Sequence, residues 1–446
     1  MKVKSNKQKN KTVKKYNLCV VGAGHVGLVA AACFCELGHK VICVDKDKKK
    51  IQSLKAKKVP FFEPDLEPLV KKGIKSGGLV FSASLTEAIR KSQVIFIAVG
   101  TPPQKDGSAD LSAIENVARV VANNLNSYKL IVGKSTVPVQ TGKKIKDIIS
   151  RYKKNSRDFD IASNPEFLRE GKAIYDFFSP DRIVIGVEST KAENILKDIY
   201  AKIKVPIIVT DINTAELIKH ACNSFLATKV SFINAVSRVC DLAGADIEKI
   251  AQAMGMDKRI GRDFLDAGLG YGGFCFPKDI EAFFYISKKL GYEFNLLKEI
   301  KNINQGQRHN FIEKVKDRLW IIKNKKIAIL GLSFKPDTDD MRFAPSVDIV
   351  NSFLKQGAII SAYDPQAYSE AKDIFKTAKL KFAKDPYAAV KGSDCLCLLT
   401  EWEEFKKLDL KKIKKLMRYP LIVDGRNMFD RDKVRDLGFE YIGIGR

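Results

Sequence analysis

No apolar run in this chain approaches the length of a membrane-spanning helix; stretches such as residues 327–332 are soon broken by glycine or charge, which predicts a soluble protein. The first fifteen residues alternate lysine with polar side chains and have none of the apolar core that a secretory signal needs, so they read as a disordered basic tail. The nine cysteines contain no CxxC pair and no metal-ligand spacing. Cys33, Cys35, Cys43, Cys395 and Cys397 all fall in apolar segments, so no metal site is expected and a reducing, cytoplasmic setting fits. Acidic residues are too few to balance the basic ones, 52 against 78, leaving a net charge of +26. That excess raises the question of a nucleic acid or an anionic membrane surface as partner. The lysines are spread over the whole chain rather than clustered with aromatics, so a solvated basic surface is expected, with no nucleic acid and no membrane bound. Such a field is compatible with drawing in a polyanionic small molecule.

At 446 residues the chain is expected to form two or three domains. After the tail, an apolar run at 17–21 leads into Gly22, Gly24 and Gly27, followed by a helical stretch to Leu37 and a second apolar run at 40–44 that ends at Asp45. Strand, glycine turn, helix, strand and acid in this spacing form a dinucleotide-binding unit. Gly22 makes the turn, Gly24 lets a pyrophosphate approach the backbone, and Gly27 lets helix and strand pack. The helix N-terminus faces the phosphates. Asp45 would repel a 2′-phosphate and so favours NAD over NADP, although Lys46 and Lys50 weaken the preference.

The alternation of strands and helices continues, and three strand ends carry polar groups: Thr101 after residues 94–98, Ser135 and Thr136 after 129–133, and Asn164, Glu166 and Glu170 after 159–162. A helix cap explains Ser135 or Asn164 as well as a ligand does. Glu166 lies in a proline-containing loop and resists that explanation. A long helix is expected over 213–243, entered through Asn213 and Glu216 as a capping box and ended by Gly244. On it Lys219 and Asn223 share one face among the apolar Leu217, Ala221, Phe225 and Leu226. Lys219 either extends to solvent or serves as a catalytic or anion-binding cation.

Residues 270–279 are read as a tight loop built on three glycines that presents Cys275, with Pro277, Lys278 and Asp279 just downstream. A buried thiol in a turn and a reactive thiolate favoured by Lys278 are both compatible with it. From Lys325 a second α/β domain begins. It has no complete GxGxxG, so a second dinucleotide is not expected, but Lys335 and Arg426 at its strand ends suit phosphates.

Together these motifs resemble the UDP-glucose 6-dehydrogenase family of nucleotide-sugar dehydrogenases over nearly the whole chain beyond the tail. The resemblance implies an α/β fold of two Rossmann-like doubly wound domains joined by a long central helix, through which a homodimer forms. The expected divisions are an NAD-binding domain at 16–212, a central region with the cysteine at 213–320, and a nucleotide-sugar-binding domain at 321–446. It implies oxidation of a sugar C6 alcohol to a carboxylate with two NAD+ reduced in turn, through a thiohemiacetal and a thioester on Cys275. Lys219 and Asn223 would stabilise the oxyanion, Asp279 and Thr136 would position water or accept a proton, and Glu166 would serve as base in thioester hydrolysis. By matching position the NAD site includes Gly22, Gly24, Gly27, Asp45, Lys50, Thr101, Glu170, Lys278 and Arg342. The sugar-nucleotide site includes Phe167, Leu168, Lys219, Asn223, Phe264, Gly272, Phe276, Lys335 and Arg426, with Arg259 reaching from a partner subunit. The sequence departs from the family at Phe274, where serine is commoner, and at Phe343, where an acid is usual. UDP-glucose is the expected substrate, with GDP-mannose and UDP-linked N-acetylamino sugars as alternatives.

Overall fold

The computed structural model describes residues 14–446, so the tail expected over 1–15 lies, except for Lys14 and Lys15, outside the described residues. Two compact units form. One holds the residues up to Pro102 with Ala109–Lys219, the other Pro103–Ser108 with His220–Arg446. Among the described residues no helix is long and apolar enough to cross a membrane.

The first unit is built on β1 (Asn17–Val21), β2 (Lys40–Val44), β3 (Leu79–Ser82), β4 (Val94–Ile97), β5 (Lys129–Gly133), β6 (Phe159–Ser163), β7 (Ile183–Val187) and β8 (Ile207–Thr210), ordered β3-β2-β1-β4-β5-β6-β7-β8. Side chains alternate across the sheet. Leu18, Val20 and Phe96 pack on one face with Phe34, while Cys19, Val21, Ile95 and Ile97 pack on the other with Ile131. Both faces are therefore covered, which is why β4 is apolar at every position. Burying each such leucine, isoleucine or phenylalanine contributes roughly 1.5–3 kcal/mol.

Strands β7 and β8 are not evident in the sequence, and they alter the sheet. β7 runs antiparallel to β6, with Ser163 opposite Gly186, and β8 is parallel to β7, with Gly186 opposite Thr210. The chain therefore leaves β8 level with the carboxyl end of β6. There the long helix (Ile212–Ala243) begins. A Cβ on Gly186 would lie 2.7 Å from both Asp211 O and Ala215 Cβ, so the absent side chain is what lets this helix start against the strand.

The expected cap is not the observed one. Asp211, not Asn213, caps the long helix, accepting the Thr214 N–H at 2.9 Å. Glu216 is buried instead and accepts the N–H of Gly142 at 2.8 Å, at the start of the helix Thr141–Tyr152. Local spacing suggested the capping box, but burial of that helix face overrode it. Likewise Leu217, Ala221 and Phe225 are exposed whereas Lys219 and Asn223 are buried, the reverse of an apolar face interrupted by polar groups.

The second unit carries β9 (Lys326–Leu330), β10 (Ile359–Tyr363), β11 (Leu380–Phe382), β12 (Cys395–Leu398), β13 (Leu421–Asp424) and β14 (Glu440–Ile442) in the order β11-β10-β9-β12-β13-β14, all parallel. This is a doubly wound Rossmann-like order. Ile327, Ile329, Cys395, Cys397 and Val423 pack on one face against Phe311, Val315 and Phe353. Ala328, Leu330, Leu396, Leu398 and Ile422 pack on the other against Phe405 and Tyr441. In this unit the expected loop at 270–279 is a loop only to Phe274. A helix, Cys275–Lys289, begins at the cysteine, because proline is tolerated in a first helical turn where the amide N–H has no intrahelical acceptor.

Candidate active site

In the first unit the glycine turn has the geometry a dinucleotide requires. Gly22 has φ +106°, and a Cβ there would come within 2.4 Å of Ala98 O; a Cβ on Gly27 would come within 1.9 Å of Gly22 O. Neither position tolerates a side chain. A Cβ on Gly24 would meet nothing within 4 Å, so this glycine borders open space at the N-terminus of the helix His25–Glu36, where peptide N–H groups suit a pyrophosphate. Asp45 Oδ2 accepts the Ala23 N–H at 2.9 Å and Lys50 Nζ at 3.2 Å, and its Oδ1 accepts the Asp47 N–H at 3.0 Å. Burial works to raise the pKa of Asp45, but the N–H groups of Asp47 and Ala23, with Lys50, outweigh it and hold the carboxyl below its usual range. The carboxylate at the end of β2 is thus held ionised. This turn fits NAD.

Thr101 is buried, its hydroxyl donating to Thr136 O at 3.0 Å, which ties two of the expected strand-end residues together. After β6, Glu166 is buried and forms a 3.0 Å ion pair with Lys219, each side chain 5% exposed. Lys219 therefore does not extend to solvent. The other Glu166 oxygen accepts the Leu168 N–H at 2.6 Å. The Phe167 ring attracts two cations, with the Arg182 guanidinium 3.7 Å and Lys219 Nζ 5.4 Å from its centre. Glu170 is half-buried, and the following Gly171 and Ala173 donate N–H groups to the buried Glu63 at 2.8 Å each.

In the second unit Cys275 is half-buried at the start of its helix. Asp279, one turn on, is fully buried; it accepts Asn223 Nδ2 at 2.6 Å through one oxygen and Lys278 Nζ at 2.5 Å through the other. Lys278, expected at the cofactor, thus also fixes the Asp279 carboxylate. Gly272 is pinned, since a Cβ there would lie 2.7 Å from Phe343 O and 3.0 Å from Phe334 Cβ. Gly273 donates its N–H to Arg342 O at 2.9 Å. Phe276 packs edge-on to Tyr271 at 5.7 Å and lies 6.4 Å from Phe264, whose φ is +65°. Arg426 donates to Leu399 O at 2.8 Å and Phe334 O at 3.1 Å and pairs with Glu401. Lys335 Nζ lies 5.4 Å from the Phe334 ring centre. Arg259 is exposed and pairs with its neighbour Asp257 at 2.7 Å.

Three models of the UDP-glucose/GDP-mannose dehydrogenase family match the chain: its NAD binding domain over residues 16–204, its central domain over 213–306 and its UDP binding domain over 328–431. The UDP-glucose 6-dehydrogenase TuaD of Bacillus subtilis is 44% identical over 96% of this chain and 93% of its own length. The chain belongs to the UDP-glucose/GDP-mannose dehydrogenase family. The UDP-glucose 6-dehydrogenase of Pseudomonas aeruginosa is 42% identical over 96% of this chain and 97% of its own. Among solved structures, a UDP-glucose dehydrogenase from the archaeon Pyrobaculum islandicum aligns with TM-score 0.91 and 36% identity over 97% of this chain and 98% of its own. As a member of this family the chain is an NAD-dependent dehydrogenase, and its UDP binding domain is made for a nucleotide sugar.

The departure at Phe274 has a partner within the same unit. The Arg342 guanidinium lies 4.6 Å, and Lys278 Nζ 5.6 Å, from the Phe274 ring centre. The aromatic face gives both bases a cation–π platform. Arg342 is further held by two N–H bonds to Asp340, from Nε at 2.9 Å and Nη2 at 2.6 Å. Phe343, where an acid was expected, is half exposed with φ +53°, a backbone region costly for a bulky side chain. Sequence reasoning missed Asp340, Glu63 and Lys134, and gave Glu216 the wrong role. A charged residue at the immediate end of a strand was the available signal for Lys134; nothing local distinguished Glu216.

Proposed function

We propose that this enzyme oxidises UDP-glucose to UDP-glucuronate by two successive dehydrogenations at C6. The observation that carries the reading is Cys275 at the first position of a helix whose next turn holds Asp279, buried and tied to both Asn223 and Lys278. A helix N-terminus, with its free N–H groups and positive dipole end, is a setting in which a thiol reacts as its thiolate. Bound NAD+ supplies the hydride acceptor, twice. This chain's residues do the rest. The C6 aldehyde from the first oxidation is attacked by the Cys275 sulfur; a C–S bond forms, the carbonyl oxygen takes a proton, and a thiohemiacetal results. Loss of a hydride from that carbon and a proton from that oxygen gives a thioester. Water, deprotonated by Glu166, then breaks the C–S bond to release the carboxylate and regenerate the thiol.

Lys219 and Asn223 stabilise the oxyanion, since fixed cationic and amide donors lower the energy of developing negative charge. Thr136 and Asp279 position a water or accept the alcohol proton. Gly22, Gly24, Gly27, Asp45, Lys50, Thr101, Glu170, Lys278 and Arg342 bind NAD. Phe167, Leu168, Phe264, Gly272, Phe276, Lys335 and Arg426 bind the nucleotide sugar, together with Arg259 of a second subunit. The exposed Phe225, Phe232, Val239 and Leu242 recur along the long helix and support a homodimer formed through it. The domain divisions at 212 and 320 and a cytoplasmic location belong to the same reading.

The test is stoichiometric. With limiting UDP-glucose and excess NAD+, two NADH per sugar nucleotide are expected, and none above background from GDP-mannose or UDP-N-acetylglucosamine. One NADH per UDP-glucose means that the aldehyde is released and the role of Cys275 is wrong; two from a control sugar instead keeps the chemistry and replaces the substrate.

A further inference from the structure

Beneath the Glu166–Lys219 pair lies a second buried lysine. Lys134, at the carboxyl end of β5, is 4% exposed. Its ammonium donates to Asn164 Oδ1 at 3.1 Å, Asn164 O at 3.4 Å and Tyr200 Oη at 3.4 Å. Asn164 in turn accepts the Tyr200 hydroxyl at 2.6 Å and donates to Val184 O at 2.9 Å. Four chain segments thus meet at one asparagine, two residues before Glu166. The charged and titratable groups that face Lys134 are Glu166 from the loop after β6, Lys219 from the long helix, Cys33 from the glycine-turn helix and Tyr200.

Two buried ammonium groups, Lys134 and Lys219, thus lie near the Glu166 carboxylate. Taking an ammonium out of water is costly, and buried charges with shifted pKa values gather at functional sites. We propose that Lys134 is a positioning residue for the reaction: its ammonium fixes the turn from Asn164 to Glu166, and its charge shares that carboxylate, leaving part of the Lys219 charge for the substrate oxyanion. The assignment rests on the roles given above to Glu166 and Lys219. Burial, offset in part by Glu166, brings the Lys134 pKa down from 10.5 to about 8. Its charge is therefore present at neutral pH and lost as pH rises past 8. Because the folded state then holds this proton less tightly than the unfolded chain, the charged lysine costs stability below about pH 8. Removing it does not lower the melting temperature for electrostatic reasons, and Asn164 Oδ1 keeps the Tyr200 hydroxyl as donor.

The experiment compares the full-length wild type with Lys134→Met, Lys134→Arg and Glu166→Gln, measuring kcat and KM for UDP-glucose and NAD+ from pH 6 to 10, with melting temperatures alongside. Lys134→Met is expected to lose about tenfold or more in kcat at pH 7, as removal of a preorganised charge does, with KM for NAD+ within about twofold and a near wild-type melting temperature. The wild-type kcat is expected to fall on an alkaline limb near pH 8 that is absent in Lys134→Met. Lys134→Arg, a permanent cation, should recover most of the rate and keep it above that limb. Wild-type turnover and an unchanged profile in Lys134→Met, with Glu166→Gln crippled, would overturn the assignment and leave the role of Glu166 intact. So would a Lys134→Met protein that melts far lower while its folded fraction turns over normally. A fully active Glu166→Gln protein instead removes the base on which the inference rests.

Discussion

Replacing Cys275 with serine is expected to cut steady-state NADH formation by roughly three orders of magnitude or more, the scale seen when a covalent nucleophile is lost. The substitution is nearly isosteric at a half-buried first helical position, so the fold and the melting temperature should be unchanged. What is lost is the capture of the aldehyde. The first hydride transfer needs no sulfur, so rapid mixing should still give up to one NADH per active site before the rate falls. A hydroxyl at this position is far less ionised than a thiol at neutral pH and forms the tetrahedral adduct poorly. A serine enzyme that makes two NADH per UDP-glucose at the wild-type rate would exclude covalent catalysis at residue 275.

Lys219→Met should fail in two separable ways. Glu166 would be left buried without its 3.0 Å partner, and breaking such a pair from one side costs about 3–5 kcal/mol of stability. Turnover should also fall by about a hundredfold or more, because a fixed cation aimed at the oxyanion is gone. Combining Lys219→Met with Glu166→Gln removes the carboxylate that has lost its ion-pair partner, so urea midpoints should recover much of the loss while kcat stays low. If the double variant regains both, the pair is structural and Lys219 has no part in the chemistry.

What the sequence discloses and what it hides divide along physical lines. Gly22, Gly24, Gly27 and Asp45 are legible because each answers a local demand: a positive φ, a close backbone approach, or an acid at a strand end. The strands around them are legible because burial on both faces leaves no polar position. Glu216 was misread because its spacing from Asn213 imitates a capping box, whereas its buried setting depends on a helix more than seventy residues earlier. In the sequence Cys275 looks like part of a loop because glycines and a proline crowd it, although proline in a first turn is no obstacle to a helix. Strand β8 is hard to see in the sequence because it is short and no more than half-buried, so it carries little periodic signal. Lys134 was unremarkable among the many basic residues until its contacts to Asn164 and Tyr200 set it apart. The cation–π platform on Phe274 is equally non-local, joining residues 274 and 342.

The direction change between β6 and β7 also sets an order of events during synthesis. Residues up to Ser163 complete six parallel strands as the chain emerges, but Glu166 acquires its partner only when β7, β8 and the first turns of the long helix have followed. At ordinary translation rates that interval is a matter of seconds, long compared with the formation of a helix. Until then the nascent sheet has an open edge along β6 and an acidic group with no cation from the long helix to meet it. The ion pair is therefore a late contact of this unit, and a ribosome stalled before residue 219 would hold a chain in which the Glu166–Lys219 pair has not yet formed.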